Sequence, residues 1–223
     1  VLDTRISGGD AELDLVSNST ITAALSLLDR EPFAFITEAE RLVTMTEGFA
    51  VATGLVEFPL RQNMRQDQIK YEITADLLNM FSKTLVKGRD LRSNRMFLQV
   101  NNTGMRIEGP VSLDGIAAET LWVKRFGPDN VGKSQMRASV ILSGEVMDTF
   151  NIMLPGAVFT GSSQGELIVD MMLNQPANFR LNSDLKGLEV SLPPIGWRKP
   201  LLSSGNFLVV GTLGDAAQIT CLL

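Results

Sequence analysis

The stretch Gln68–Leu78, with the sequence QIKYEITADLL, decides the fold class of this chain. Its residues alternate between apolar and polar, which is the period of a β-strand with one dry face and one wet face. A second stretch, Asn178–Leu185 (NFRLNSDL), alternates in the same way and also ends in Asp-Leu, and its Asp184 lies 108 positions after Asp76. Two such half-buried strands predict an extended sheet of repeated units rather than a catalytic pocket.

Most of the remaining chain also has the alternation and the turn chemistry of antiparallel strands. Besides Gln68–Leu78, strands are predicted at 11–16, 49–58, 95–100, 105–108, 120–125, 136–143, 166–171, 178–184, 187–192 and 206–211. Two short helices are predicted at 20–29 and 145–153. Asn18, Ser19 or Thr20 can cap the first helix, and the second follows Ser143-Gly144.

These elements predict a mainly β fold with two short helices, in the β-rich α+β class. We expect an elongated, curved antiparallel sheet that is apolar on its concave face. The helices and the Asp-Leu strands predict a first repeat unit at 1–126 and a second at 130–223. Because the second unit stops in mid-pattern at Leu223, we expect the chain to be a fragment of a longer protein.

Composition argues against several classes of function. The chain has 223 residues and a net charge of −5, which opposes a large phosphate-binding surface, so we expect no nucleic-acid partner. It has no histidine, and therefore lacks the usual general base and the usual zinc ligand. The single cysteine, Cys221, cannot form an internal disulfide. We therefore expect a protein that is not an enzyme and needs no cofactor or metal.

One motif suggests a nucleotide. Residues 127–134 (GPDNVGKS) fit the P-loop pattern, in which Gly127, Gly132, Lys133 and Ser134 would be the nucleotide-binding residues. A P-loop needs a helix that begins at its Lys-Ser pair, yet residues 135–142 (QMRASVIL) alternate like a strand. A turn between two strands is the favoured interpretation, and a nucleotide site is the alternative.

Two further patterns are weaker. Residues 161–165 (GSSQG) fit the elbow that presents a nucleophilic serine, but no histidine is available to activate it. Asp10, Glu12 and Asp14 alternate on one strand, where a solvated face is the simpler interpretation than a cation site.

Apolar strand faces remain as the candidate functional surface. The candidate residues of a lipid groove are Ile69, Tyr71, Ile73, Leu77, Met96, Leu98, Val100, Val140, Leu142, Leu167, Val169, Phe179, Leu181, Leu188 and Val190. An ordinary closed core is the alternative interpretation of the same residues. A sheet bent into a trough would instead shelter acyl chains, at about 0.8 kcal/mol for each buried CH₂ group.

The ordered short motifs resemble a known family. Residues 181–200 (LNSDLKGLEVSLPPIGWRKP) follow a pattern of Asp-Leu, an apolar strand, Leu-Pro and Gly-Trp-x-Lys-Pro. Residues 6–12, 24–32, 54–60, 102–109 and 121–126 fit in the same order. This arrangement is similar to the AsmA-like superfamily, and within it to the large YhdP-type proteins of Gram-negative bacteria.

The resemblance implies a periplasmic, β-rich segment with a hydrophobic groove, held at the inner membrane by an anchor outside this fragment. It further implies a part in moving phospholipid between the inner and outer membranes and in maintaining the outer-membrane barrier. It supplies no catalytic residues. A structural or protein-binding β module is the alternative function.

Overall fold

The computed structural model describes residues 9–30, 42–61, 65–152, 156–213 and 219–222. Its strands are β1 Asp10–Thr20, β2 Glu47–Pro59, β3 Lys70–Ser82, β4 Leu91–Asn101, β5 Gly104–Leu113, β6 Ile116–Arg125, β7 Lys133–Leu142, β8 Val158–Gly161, β9 Ser163–Met172, β10 Ala177–Ser183, β11 Leu188–Leu192, β12 Trp197–Lys199, β13 Phe207–Leu213 and β14 Ile219–Leu222. The helices are α1 Ile21–Leu28 and α2 Gly144–Thr149. Short 3-10 helices lie at Gln66–Gln68, Pro128–Asn130 and Pro193–Ile195.

The predicted fold class is confirmed: the protein is mainly β, and its described residues form two short helices and a large antiparallel sheet. The second helix is shorter than predicted, because Asn151 takes a left-handed conformation with φ of 53°. The Ile152 N–H then donates to the carbonyl of Met147, and the Asn151 N–H donates to that of Asp148. This pattern is a Schellman motif, which ends a helix.

The chain divides into two compact units. The first contains Val1–Ser112 and Val123–Gly132, and the second contains Leu113–Trp122 and Lys133–Leu223. This division places residues 113–122 in the second unit and residues 130–132 in the first, whereas the sequence had predicted the reverse for both segments. Strands of the first unit pair in the order β1-β2-β3-β4, and those of the second in the order β7-β9-β10-β13-β14. The second unit also contains a three-stranded sheet, β12-β11-β8.

Helix α1 covers one end of the apolar face of the first unit. Thr20 caps the helix, since its hydroxyl accepts a hydrogen bond from the Ala23 N–H at 3.2 Å. Ile21 and Leu25 then pack on a small core of β-sheet side chains, which is formed by Ala50, Leu77, Met80, Leu91, Met96, Ile107 and Val111. The rest of this face lies beyond that core.

Within the first unit, the positions that face the core shift by one residue at the same level on β3 and on β4. Leu77 lies opposite Met96, and Met80 lies opposite Ser93. All four side chains are buried or pack on the same core. Along each strand, however, the two inward-facing residues are three positions apart and not the two positions of a regular strand: Leu77 and Met80 on β3, and Ser93 and Met96 on β4. Asn79, with φ of 50°, absorbs the extra residue on β3. The register between β3 and β4 is the same on both sides of Asn79, whereas the register between β2 and β3 shifts by one residue between Glu47 and Phe49. The bulge therefore lies in the ladder between β2 and β3.

The second unit has a closed core. Helix α2 and the small sheet pack on the apolar side of β7, β9, β10 and β13, and this packing leaves Leu142, Leu188, Val190 and Val209 with no exposed surface. Lys199 closes one edge of the core with its own side chain 7% exposed. Its ammonium group donates hydrogen bonds to the carbonyls of Leu185, Leu188 and Pro200.

Both units have the same order of elements. In each, a strand runs into a helix whose N-cap is a hydroxyl residue, Thr20 or Ser143, and the next large-sheet strand pairs with the first. In the first unit, the cap residue Thr20 pairs with Phe49 of β2, and Phe49 pairs with Leu78 of β3. Asp76 lies two residues before Leu78. In the second unit, Leu142, which precedes the cap residue Ser143, pairs with Ser163. The Ser163 hydroxyl lies 3.2 Å from that of Ser183, and Asp184 is the next residue. Asp76-Leu77 lies within β3, whereas Asp184-Leu185 follows the last residue of β10, so the two Asp-Leu pairs do not occupy equivalent positions.

Candidate functional site

The candidate site is the part of the first unit's apolar face that α1 leaves uncovered, which we call the open face. Register places its residues in rows across β1 to β4: Leu13, Val56 and Tyr71; Leu15, Gly54, Ile73 and Val100; and Ser17, Ala52, Ala75 and Leu98. The hydroxyls of Ser17 and Tyr71 are the polar side-chain groups among these eleven residues. Acyl or other apolar groups are the ligands that such a surface suits.

Most side chains of the open face are only partly buried. Tyr71, Ile73, Leu98 and Val100 are half-buried, and Leu13 is 52% exposed. None of these five belongs to either hydrophobic core. These five side chains bury less of their apolar surface than core side chains do. Covering them with an apolar partner would remove more of that surface from water and would lower the free energy.

The opposite face of the same strands is mostly polar, although Val16, Phe49, Val51 and Phe97 are exposed there. Arg95 donates two hydrogen bonds to the Asp76 carboxylate, at 2.9 and 3.1 Å, and these bonds together with that negative charge raise the pKa of Arg95. Lys70 lies 3.9 Å from Glu57, and the Thr53 and Thr74 hydroxyls lie 3.3 Å apart. The alternation that predicted one dry face and one wet face is therefore present in the folded chain.

Asn102 fixes the start of β3 beside the open face. Its side-chain amide accepts a hydrogen bond from the Tyr71 N–H at 2.9 Å and donates one to the Ile69 carbonyl at 2.7 Å. The amide thus pairs with the backbone as a neighbouring strand would. Partial burial on this strand raises the pKa of the Tyr71 hydroxyl. A proton at this position is therefore held more tightly than in water.

The fifteen predicted groove residues separate into two groups. Eight are half-buried: Tyr71, Ile73, Leu77, Leu98, Val100, Val140, Leu167 and Phe179. Leu77 and the last three of these pack on a core, which leaves Tyr71, Ile73, Leu98 and Val100 as the predicted residues of the open face.

The other seven residues are buried, namely Ile69, Met96, Leu142, Val169, Leu181, Leu188 and Val190. Of these, Leu188 and Val190 lie on β11 in the small sheet and not on the large sheet with the rest. Their alternating pattern is that of a strand packed inside a core, so the prediction that they line an open groove is wrong. Leu142 and Leu181 are corrected in the same way, because α2 and the small sheet cover them.

Sequence reasoning missed the contributions of β1 and β2 to the site. Leu13, Leu15 and Val56 lie in strands that were predicted, but only the register shows that they share a face with Tyr71 and Ile73. The signal that could have found them is the alternation of 11–16 and 49–58, read together with Gly54 as a position of close backbone approach.

The P-loop pattern has no helix behind it. Gly127, with φ of 105°, and Gly132, with φ of 72°, flank a 3-10 turn, and Lys133 begins β7 with Ser134 as the next strand residue. No helix N-terminus therefore faces a phosphate at these four residues, and the segment is the predicted turn between strands.

The serine pattern lies between two strands. Ser163 is the first residue of β9 and is 4% exposed, with its hydroxyl against that of Ser183. It is not presented on a strand-to-helix elbow. Among the residues that the structure describes, no three acidic, cysteine or histidine side chains converge as metal ligands would. In the same residues, no helix has the length and apolar character needed to cross a bilayer.

Comparison with known proteins gives no relative: no family model, curated protein or solved structure matches the chain. The open face must therefore be interpreted from its own chemistry.

Proposed function

We propose that this chain is a non-enzymatic, periplasmic segment of an AsmA-like protein, and that its open face shelters phospholipid acyl chains between the inner and outer membranes. Its membrane anchor would lie outside this fragment. The observation that carries the proposal is the partly exposed apolar surface across β1 to β4, backed by a mostly polar surface on the same strands.

The energetics support an acyl chain as the ligand. Each CH₂ group that leaves water gains about 0.8 kcal/mol, so the many methylenes of an acyl chain together favour its residence on this surface over water. The open face offers no charged group that would have to be desolvated when the chain binds. The phosphate headgroup would stay in water at the strand ends.

Site-specific photocrosslinking tests the proposal. A photoreactive amino acid replaces Ile73 or Leu98 on the open face, or their strand neighbours Thr74 or Gln99 on the polar face, in protein produced in the periplasm of a Gram-negative host. We expect phospholipid adducts, detected by mass spectrometry, at Ile73 and Leu98 only.

Phe97 is the stringent control, because its ring is 39% exposed but lies on the polar face. Lipid adducts at Phe97 as abundant as those at Leu98 would show unspecific contact and refute the proposal. Adducts to protein rather than to lipid at Ile73 would favour the alternative, a protein-binding β module.

A further inference from the structure

The turn between β3 and β4 concentrates positive charge in an acidic protein. Residues 83–92 contain Lys83, Lys87, Arg89 and Arg92 with a single acid, Asp90. We call this segment the basic tip. Its net charge is +3, which leaves −8 for the rest of a chain whose net charge is −5. Such a local reversal of sign attracts an anionic partner.

Two of these cations are held together and remain exposed. The Arg92 guanidinium lies 4.3 Å and the Lys83 ammonium 5.8 Å from the centre of the Phe81 ring. Asp90 lies 3.4 Å from Arg92 and 3.6 Å from Lys83. The Lys83 and Arg92 side chains are nevertheless 67% and 62% exposed. Contacts with the ring and with Asp90 hold both charges close together before any partner arrives.

An exposed leucine is fixed at the base of the basic tip. Leu42 is 70% exposed, and its carbonyl accepts a hydrogen bond from the Met45 N–H. The Met45 carbonyl in turn accepts hydrogen bonds from the hydroxyls of Ser82, at 2.6 Å, and Thr84, at 2.9 Å. The turn with Leu42 is thereby joined to the basic tip, so an apolar side chain and several cations occupy one end of the unit.

From this combination we infer that the basic tip and Leu42 dock the chain on the surface of a bilayer that contains anionic phospholipid. Cations are attracted to the negative surface, and an exposed leucine inserts among the headgroups. The inference uses residues outside the open face, so it holds or fails independently of the proposed acyl-chain site.

Vesicle co-sedimentation tests the inference. The probes are vesicles of phosphatidylcholine alone and of an equimolar mixture of phosphatidylcholine and phosphatidylglycerol. We expect binding to the mixed vesicles only, and weaker binding as salt is raised. The K83Q/R92Q variant should bind about thirty-fold more weakly, which corresponds to about 1 kcal/mol for each basic side chain. Leu42→Ser should also weaken binding.

Matched variants separate docking from general effects. R61Q/R180Q makes the same change in net charge elsewhere, Leu202→Ser removes a leucine that is 82% exposed in the second unit, and K83R/R92K keeps the charge of the tip. All three should bind like the unsubstituted chain. Equal loss in R61Q/R180Q, or equal binding to both kinds of vesicle, would overturn the inference.

Discussion

Gly54 lies opposite Ile73 in the ladder between β2 and β3, and its missing side chain is what allows Ile73 to lie over it. A β-carbon at Gly54 would be 2.8 Å from Cγ1 of Ile73 and 2.5 Å from the carbonyl oxygen of Glu72. The two strands could not keep their present separation around such an atom. Gly54 therefore shapes the centre of the open face.

Gly54→Ala should destabilise the protein by about 1–3 kcal/mol, because the added methyl group overpacks the ladder. Urea denaturation measures the change in the free energy of unfolding. Thr53→Ala is the control on the opposite face and should change this free energy by only about 0.5 kcal/mol. If the Gly54→Ala variant is as stable as the unsubstituted chain, Gly54 and Ile73 do not lie as close together as the structure places them.

Tyr71 should titrate above the ordinary tyrosine pKa of about 10, because burial disfavours its charged form. It is the only tyrosine in the chain, so ultraviolet absorbance of tyrosinate reports it alone. Because the pKa of Tyr71 is higher in the folded state than in the unfolded state, its contribution to the free energy of unfolding is fully present at pH values below the unfolded-state pKa. This contribution is lost as the pH rises through the folded-state pKa.

Bound phospholipid should raise the Tyr71 pKa further, because an acyl chain on the open face removes more water from the hydroxyl. Denaturant, as a control, should return the titration to its ordinary range. A midpoint that stays fixed while phospholipid binds would contradict acyl contact near Tyr71.

Lys199→Met should destabilise the second unit by about 2–4 kcal/mol. The substitution keeps a long apolar stem but leaves the carbonyls of Leu185, Leu188 and Pro200 without the ammonium group that they share. Thermal unfolding compares it with Lys186→Met, which makes the same charge change at an exposed residue. Similar unfolding temperatures for both variants would show that the buried ammonium group does not hold this edge.

Thr20→Ala and Ser143→Ala should each cost about 1 kcal/mol, because each removes an N-cap hydroxyl. Thr20→Ser and Ser143→Thr keep the hydroxyl and should be nearly neutral. The two caps lie in different units, so the losses in the double variant should add when unfolding is measured in urea. A strongly non-additive result would mean that the two helices are energetically coupled.

Local patterns sufficed to predict the fold class. The alternation of Gln68–Leu78 predicted β3, and the hydroxyl cap predicted α1 to within one residue at each end. Three strands were missed. Trp197–Lys199 has three residues and Val158–Gly161 and Ile219–Leu222 have four each, so these segments are too short for a period of two to be recognised.

The candidate site was only partly predictable, because alternation does not say what covers a strand face. Leu188 and Val190 alternate just as Tyr71 and Ile73 do, yet Leu185, with φ of 54°, starts a turn that takes the chain into a second sheet. Burial by a distant segment is a tertiary effect that a single strand's pattern does not contain. The charge of the basic tip is visible in residues 83–92, but its connection to Leu42 is not, since Met45 and Ser82 meet only in the folded chain.

The bulge at Asn79 also constrains how this chain can change length. Loss of Asn79 alone would turn Met80 and Ser82 toward the opposite side of the sheet and would shift the register between β3 and β4 beyond that point, so a one-residue deletion here should be disfavoured. Insertions are tolerated more readily in the connections between strands. In the second unit the strands β8, β11 and β12 all lie in the connections that follow α2 and β10, where added residues leave the large-sheet ladder intact.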